Sequence, residues 1–292
     1  MLTAQTEEDV MNRQRIVAGY DGSAEAGAAV RWAVAEAGRT GAALHIVHAY
    51  QPSWTVAYYD GVSAQAAADA ETLAEEKLDD LVAHLHERHA GVQIVATTVR
   101  GVPAPVLLDA AAGARLLVVG NRGSGGLTNL LMGSVSQQVA THARVPVAVV
   151  RGDSDTGDGP VVVGVDGSPS TGAALALAFE QAASRGAELV AVRAYSPPPP
   201  SVLPLRMVEA SEREALQQSL TGWAEKYPAV KVRAVLALGR AAQVLVGASR
   251  TARLVVVGSR GHGGFTGLLL GSVGQQLMHH AECPVLVAHR PD

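Results

Sequence analysis

The segment Ile16-Val-Ala-Gly-Tyr-Asp-Gly-Ser23 returns later in the chain as Val161-Val-Val-Gly-Val-Asp-Gly-Ser168. Each copy is a short apolar run that ends in Asp-Gly-Ser, and each is followed by an alanine-rich segment with helical spacing. A second block, residues 121–150, aligns without gaps to residues 259–288. A repeat of this length is too long for one solenoid unit, so each copy is predicted to be a domain.

Strand and helix signals alternate through both copies. Short, fully apolar runs such as Leu116-Leu-Val-Val119 are typical of strands that are covered on both faces. Strands that alternate with helices at this spacing form right-handed βαβ units and a parallel sheet. We therefore predict an α/β fold of two tandem Rossmann-like domains, each with a parallel sheet of five strands in the order 3-2-1-4-5 and helices on both faces.

The predicted domain boundaries follow the repeat. Residues 1–13 form a polar N-terminal arm, residues 14–152 the first domain and residues 160–292 the second domain. Residues 153–159 between them are polar and glycine-rich, which is typical of an exposed linker.

The last predicted strand of each copy is apolar. These strands lie in Val145-Pro-Val-Ala-Val-Val150 and Cys283-Pro-Val-Leu-Val-Ala288. An exposed apolar edge promotes aggregation, so we expect the two strands to pair with each other as a pseudo-twofold pair. A homodimer of the whole chain is a further expectation.

Composition excludes several classes of partner. The formal net charge is −4 and the basic residues form no stripe, which argues against nucleic acid or an anionic membrane as a partner. No apolar run approaches the roughly 18 residues of a spanning helix. The single cysteine, Cys283, excludes an intrachain disulfide, and the polar N-terminus lacks the apolar core of a signal peptide. We therefore expect a cytoplasmic protein.

A glycine loop follows the fourth predicted strand of each copy. It reads Gly120-Asn-Arg-Gly123, nine residues, then Gly133-Ser134 in the first copy, and Gly258-Ser-Arg-Gly261, nine residues, then Gly271-Ser272 in the second. Each loop leaves the carboxyl end of a strand, which is where open α/β sheets bind ligands. Glycines with positive φ would let backbone N–H groups converge on an anion, and the following helix N-terminus adds a positive dipole. The pattern predicts a phosphate site.

Other interpretations of these residues stay open. A P-loop is excluded because no lysine follows the glycines. A dinucleotide fingerprint is excluded because its Gly-x-Gly-x-x-Gly would follow the first strand, where this chain has Asp21-Gly22-Ser23. The glycines could form only turns and caps, and Asp21 and Asp166 could only cap the first helix of each domain. Arg122 and Arg260 could clamp phosphate oxygens or could be solvated loop residues.

Together, Val-Gly-x-Asp-Gly-Ser and Gly-x-x-Gly, nine residues, Gly-Ser resemble the signature of the universal stress protein family. The likeness covers nearly the whole chain as two copies and is closest to the tandem actinobacterial type. It implies the adenine nucleotide alpha-hydrolase-like form of the Rossmann-like fold. Members of the family often carry proline or a similar residue where Gly19 and Gly164 stand, so the ribose-side wall departs from the pattern.

The resemblance also implies roles for individual residues. In the first copy, phosphates would be held by the Ser134 hydroxyl and by the main-chain N–H groups of Gly123, Gly133, Ser134 and Val135. Gly120 would lie against the ribose, Asp21 would bond the ribose or help hold a phosphate-bound Mg²⁺, and the main chain of Ala49 would bond adenine. The matching positions of the second copy are Gly164, Asp166, Ala194, Gly258, Arg260, Gly261, Gly271, Ser272 and Val273.

The function implied by the resemblance is that of an ATP-binding regulator in a stress or dormancy response. We expect ATP with Mg²⁺ in both domains, little or no turnover, no catalytic residues and an unidentified regulatory protein partner. The absence of a phosphate-loop lysine and of an evident base argues against fast phosphoryl transfer. Two alternatives are a slow ATP hydrolase or phosphotransferase, and a dimeric scaffold that binds AMP or cyclic AMP.

Overall fold

The computed structural model of the chain describes residues 14–51, 63–124, 132–152, 158–196, 204–262 and 270–289. The predicted N-terminal arm lies outside the described residues, as do residues 153–157 of the predicted linker. The chain forms two compact units, Met1–Val145 and Pro146–Asp292.

The first unit contains a parallel sheet in the order β3-β2-β1-β4. Its elements are β1 Arg15–Tyr20, α1 Ala24–Thr40, β2 Ala43–Tyr50, α2 Ser63–Arg88, β3 Ile94–Arg100, α3 Pro103–Ala110, β4 Leu116–Gly120 and α4 Ser134–His142. The Ser23 hydroxyl caps α1 by accepting the Ala26 N–H at 3.1 Å, and α1 ends at Gly41, whose φ is 67°.

The second unit repeats this architecture. Its elements are β5 Val147–Val150, β6 Val161–Gly164, α5 Thr171–Arg185, β7 Leu189–Tyr195, α6 Leu205–Leu220, α7 Trp223–Lys226, β8 Val232–Leu238, α8 Ala241–Ala248, β9 Leu254–Gly258, α9 Ser272–His280 and β10 Val285–Ala288. The parallel strands lie in the order β8-β7-β6-β9-β10, and β5 adds to β10 in the antiparallel sense.

The α/β fold class is confirmed, and the second copy shows the predicted strand order in full. Pairing of the last strands is also confirmed, since Leu286 of β10 lies opposite Ala148 of β5. This pairing makes the sheet mixed, because β5 runs antiparallel to its neighbour. Both strands are fully buried, as their apolar sequences require.

The strand order places a crevice at one edge of each sheet. In the first unit, β1 lies between β2 and β4, so the chain crosses the sheet in opposite directions on the two sides of β1. The loops that follow β1 and β4 therefore separate at the carboxyl ends of these strands. Among the described residues, no helix is long and apolar enough to cross a membrane.

Candidate functional site

A cavity of about 620 Å³ opens at the carboxyl ends of β1, β2 and β4 in the first unit. One wall is apolar and includes Val47, Leu107, Val119 and Met132, while the glycine loop and the start of α4 form the other. This volume lies within the usual range for small-molecule sites, which are largely apolar with a few converging polar groups.

Every residue predicted for the first copy of the site lines this cavity. The structure brings together the end of β1, the end of β2 and the glycine loop, which are far apart in sequence. The predicted residues in the lining are Gly19, Asp21, Ala49, Gly120, Arg122, Gly123, Gly133, Ser134 and Val135. Their individual contacts with a ligand stay predictions.

Helix α4 points its N-terminus at the cavity. Gly133 is the N-cap residue and supplies no side-chain cap, and the first backbone bond of the helix runs from the Gln137 N–H to the Gly133 carbonyl at 3.1 Å. The N–H groups of Ser134 and Val135 therefore have no partner within the helix. These groups and the positive end of the helix dipole make the wall suitable for an anion.

Asp21 ties the end of β1 to the glycine loop. Its Oδ1 accepts the N–H and the hydroxyl of Ser23 at 3.0 and 2.6 Å, and its Oδ2 accepts the Ser124 N–H at 2.7 Å. The alternative that Asp21 itself caps α1 is wrong, because Ser23 supplies the cap. A carboxylate has about four acceptor positions, so one remains for a ribose hydroxyl or a metal ion.

Close packing inside the protein requires glycine at the first two pattern positions of each loop. Positive φ is not found at the six described glycines of the two loop patterns, and it occurs instead at Gly22 and Gly167, with φ of 82° and 81°. A Cβ on Gly120 would lie 2.8 Å from the backbone carbonyl of Glu25, and one on Gly123 would overlap the Asp21 carboxylate. A side chain at Gly120 would thus collide with α1 whether or not a ribose is present.

Arg122 and Arg260 differ although they occupy matching positions. Arg122 is half-buried in the cavity wall, and its buried Nε has no hydrogen-bond partner in the part of the chain that the structure describes. Arg260 is exposed. A buried guanidinium N–H without a partner is unfavourable, so the first unit favours the phosphate-clamp interpretation of its arginine.

Two ring side chains of the cavity, Tyr20 and His48, were not among the predicted site residues. They meet edge to face with 5.9 Å between ring centroids. Burial lowers the pKa of His48, although the nearby Asp21 and a hydrogen bond to the backbone of Ala74 oppose this effect. Burial and the charge of Asp21 raise the pKa of Tyr20. Alternation along β2 was the only available signal for His48, and it does not distinguish a cavity wall from a core.

The second unit arranges the matching residues around its own Asp-Gly turn. Asp166 Oδ1 accepts the Ser168 N–H at 2.9 Å and the Thr171 hydroxyl at 2.8 Å, while Oδ2 accepts the His262 N–H at 3.2 Å. Burial alone would raise the pKa of Asp166, but these hydrogen bonds outweigh burial and hold that pKa below its usual value. Asp166 thus joins β6 to its glycine loop as Asp21 does.

The other predicted residues of the second copy also lie at this edge. Gly164 is the last residue of β6, Gly258 ends β9, and Ala194 lies one residue before the end of β7. Gly271 caps α9 without a side-chain bond, so Ser272 and Val273 begin a helix whose first N–H groups have no partner within it.

A serine contact distinguishes the second loop. The hydroxyls of Ser168 and Ser170 lie 3.0 Å apart, and both donate to the carbonyl of Arg260. Ser170 also fills the space beside Gly258. The first unit has the backbone of Glu25 at this place.

No group of three or more histidine, cysteine or acidic side chains is arranged to hold a metal among the described residues. A metal here would therefore depend on ligand oxygens, with Asp21 or Asp166 adding the remaining acceptor position described above.

Comparison with known proteins identifies the family. The universal stress protein family profile matches residues 12–151 and 159–289, so the chain belongs to this family. It is 37% identical to a universal stress protein of Mycobacterium bovis over 94% of this chain and 97% of that one. It is 38% identical to one of Mycolicibacterium smegmatis over 93% and 96%. The crystal structure of a universal stress protein from Archaeoglobus fulgidus matches with a TM-score of 0.68 at 17% identity, covering 95% of this chain and 98% of that one.

Proposed function

We propose that this member of the universal stress protein family binds ATP with Mg²⁺ and acts in the cytoplasm as a nucleotide-dependent regulator of a stress or dormancy response. The observation that carries the proposal is the cavity of the first unit, which joins an apolar wall to a cluster of N–H groups and a half-buried arginine. These two halves match the apolar base and the anionic phosphates of a nucleotide.

Each part of the cavity has a role in this proposal. The main chain of Ala49 bonds the adenine edge. The N–H groups of Ser134 and Val135 hold phosphate oxygens together with Arg122. The Gly133 N–H, which was also expected to bind phosphate, donates instead to the Asn121 carbonyl at 2.8 Å. Asp21 uses its remaining acceptor position for the ribose or for Mg²⁺ bound to the phosphates. We propose the same arrangement, with Asp166 in place of Asp21, for the second unit.

Slow or absent turnover is part of the proposal. A general base needs a free acceptor at the nucleophile. Asp21 accepts three hydrogen bonds from protein groups, and this proposal assigns its remaining acceptor position to the ribose or to Mg²⁺. We therefore propose that occupancy, rather than hydrolysis, is the signal that a regulatory protein partner or a second copy of the chain reads. Light scattering with and without ATP measures whether occupancy changes the association of the chain with a second copy.

The test is a melting experiment on protein that has been stripped of nucleotide by unfolding and refolding. Ligand at about 100 times its Kd stabilises the folded state by about 2.7 kcal/mol, and each kcal/mol raises Tm by roughly 2–4 °C in a domain of this size. We expect several degrees of stabilisation with ATP and Mg²⁺ and little with GTP.

Other outcomes would support other functions. A larger shift with AMP or cyclic AMP would favour the scaffold, and ADP formed in excess of protein would favour a hydrolase. Mass spectrometry of ligand released from the purified protein gives an independent reading. Absence of any shift with an adenine nucleotide after stripping would contradict the proposal.

A further inference from the structure

A positively charged side chain lies at the Asp-Gly turn of each unit. Lys77 Nζ is 3.9 Å from the position that a Cβ on Gly22 would occupy, and Arg193 Nη1 is 3.4 Å from the corresponding position on Gly167. Each turn begins with the aspartate that accepts an N–H of the glycine loop. The positive charges therefore lie beside the two turns whose aspartates bond the glycine loops.

The two copies deliver this charge from different elements. Lys77 belongs to helix α2, whereas Arg193 belongs to strand β7. Both copies contain a hydrogen-bonded tyrosine–glutamate pair, and this pair aligns one copy with the other. Tyr195 of β7 donates to Glu209 of α6 at 2.7 Å, and Tyr50 of β2 bonds Glu71 of α2.

This alignment gives the counterpart of each charged residue. Lys77 lies six residues after Glu71 and therefore corresponds to Ala215, which lies six residues after Glu209. Arg193 lies two residues before its tyrosine, where the first copy has His48. Each copy thus lacks the basic residue that the other copy uses, yet both place a basic group at the same turn.

The surroundings of Arg193 leave part of its guanidinium available. Its Nε donates to Glu212 at 2.5 Å, and Nη1 is buried without a hydrogen-bond partner among the described residues. His262 Nε2 lies 3.5 Å from the same Cβ position on Gly167. A buried, unpaired guanidinium N–H next to a histidine is suited to an oxyanion.

Attraction to the neighbouring aspartate does not account for these positions. Within the described residues, no ion pair joins Lys77 to Asp21 or Arg193 to Asp166, and Arg193 pairs with Glu212 instead.

We propose that Lys77 in the first unit and Arg193 in the second contact the terminal phosphates of the bound nucleotide. These residues add positive charge from outside the glycine loop, whose sequence contains an arginine but no phosphate-loop lysine. This inference rests on the proposed nucleotide binding. It assigns to Lys77 and Arg193 the dependence of nucleotide affinity on the number of phosphates.

The first experiment compares ATP, AMP and adenosine by calorimetry on stripped wild-type protein and on Lys77→Met, with Lys231→Met as the matched control. A charged hydrogen bond to phosphate corresponds to a loss of about tenfold or more. We expect Lys77→Met to weaken ATP binding to one site per chain by this factor and to leave adenosine unchanged. Lys231 lies at neither turn, so its variant should bind all three ligands as the wild type does.

The second experiment moves the charge between elements in the second unit. Arg193→His should weaken ATP binding to the other site of the chain, and adding Ala215→Lys should restore it by recreating the arrangement of the first unit. A merely structural role of Arg193 predicts no such rescue. The melting temperature of each variant shows whether it is folded.

The outcomes separate this inference from the function on which it rests. If wild-type protein binds no adenine nucleotide, the proposed function fails. If the wild type binds ATP but Lys77→Met binds it equally well, or if ATP and adenosine bind the wild type with equal affinity, the phosphate role of Lys77 is wrong. Failure of Ala215→Lys to restore binding in a folded variant would overturn the assignment of Arg193.

Discussion

The two glycine loops share one sequence pattern, yet they pack against different atoms. Gly120 in the first unit lies against the backbone of Glu25, whereas Gly258 in the second lies against the side chain of Ser170. The Ser170 hydroxyl also donates to the Arg260 carbonyl, so the second loop is bonded to the first turn of its unit. The comparison shows that one glycine spacing, repeated within a chain, can be packed against in two ways.

The difference begins in the residues after Asp-Gly-Ser. The first copy continues Ala24-Glu25, and helix α1 starts at once. The second copy continues Pro169-Ser170, and helix α5 starts only at Thr171. At the position that Glu25 occupies in the first copy, the second copy therefore has a short hydroxyl side chain that donates to the loop carbonyl of Arg260.

The largest expected effect comes from Gly120→Ala and Gly258→Ala. Extra atoms in a packed site cost about 1–3 kcal/mol, and Gly120→Ala should lie at the upper end because its new methyl meets backbone that cannot rotate away. Gly258→Ala should be partly relieved by Ser170→Gly, since its collision is with a side chain. Hydrogen exchange of amides in each unit measures the two effects separately. Equal rescue of Gly120→Ala by Glu25→Gly would contradict this explanation.

A smaller effect is expected for Ser170→Ala compared with Glu25→Ala. The first change removes the hydrogen bond from the Ser170 hydroxyl to the Arg260 carbonyl, which is typically worth about 1 kcal/mol, and the packing of that hydroxyl against Ser168. The second removes only a favourable charge in the first turn of α1, worth about 0.3–1 kcal/mol. Urea unfolding followed by hydrogen exchange compares them. A cost for Glu25→Ala that exceeds the cost for Ser170→Ala would show that the serine contact does not stabilise the loop.

The smallest effect is the pH dependence that Asp166 contributes. Its folded pKa is lower than the usual value of 3.8, so the ionised form stabilises the folded state above that pH. This contribution is lost as the pH falls below 3.8 and through the lower folded pKa. Unfolding of wild-type protein and Asp166→Asn, measured at several pH values between 5 and 2, should therefore converge at the acid end. Parallel curves would contradict the effect. Asp166 reaches solvent, which keeps the difference small.

Local patterns were sufficient to predict the fold and the residues that line the cavity of the first unit. The repeat, the alternation of strands with helices and the loop after the fourth strand together predicted the strand order and the cavity edge. Physical explanations for single residues were less successful. The loop glycines were expected to adopt positive φ, but close approach of Glu25 and Asp21 is what requires them. These close contacts depend on how α1 packs on the sheet. The periodicity of the sequence does not contain that information.

By itself, the sequence determined that the chain holds two α/β units and that their apolar strands must be buried, because apolar periodicity and β-branched runs are properties of neighbouring residues. Only the tertiary structure decided which side chains from distant elements reach the Asp-Gly turns. Lys77 reaches Gly22 from α2, and Arg193 reaches Gly167 from β7. These contacts join elements far apart in sequence, so they depend on the position and rotation of each element against the sheet, and the same charge can therefore arrive from non-equivalent positions.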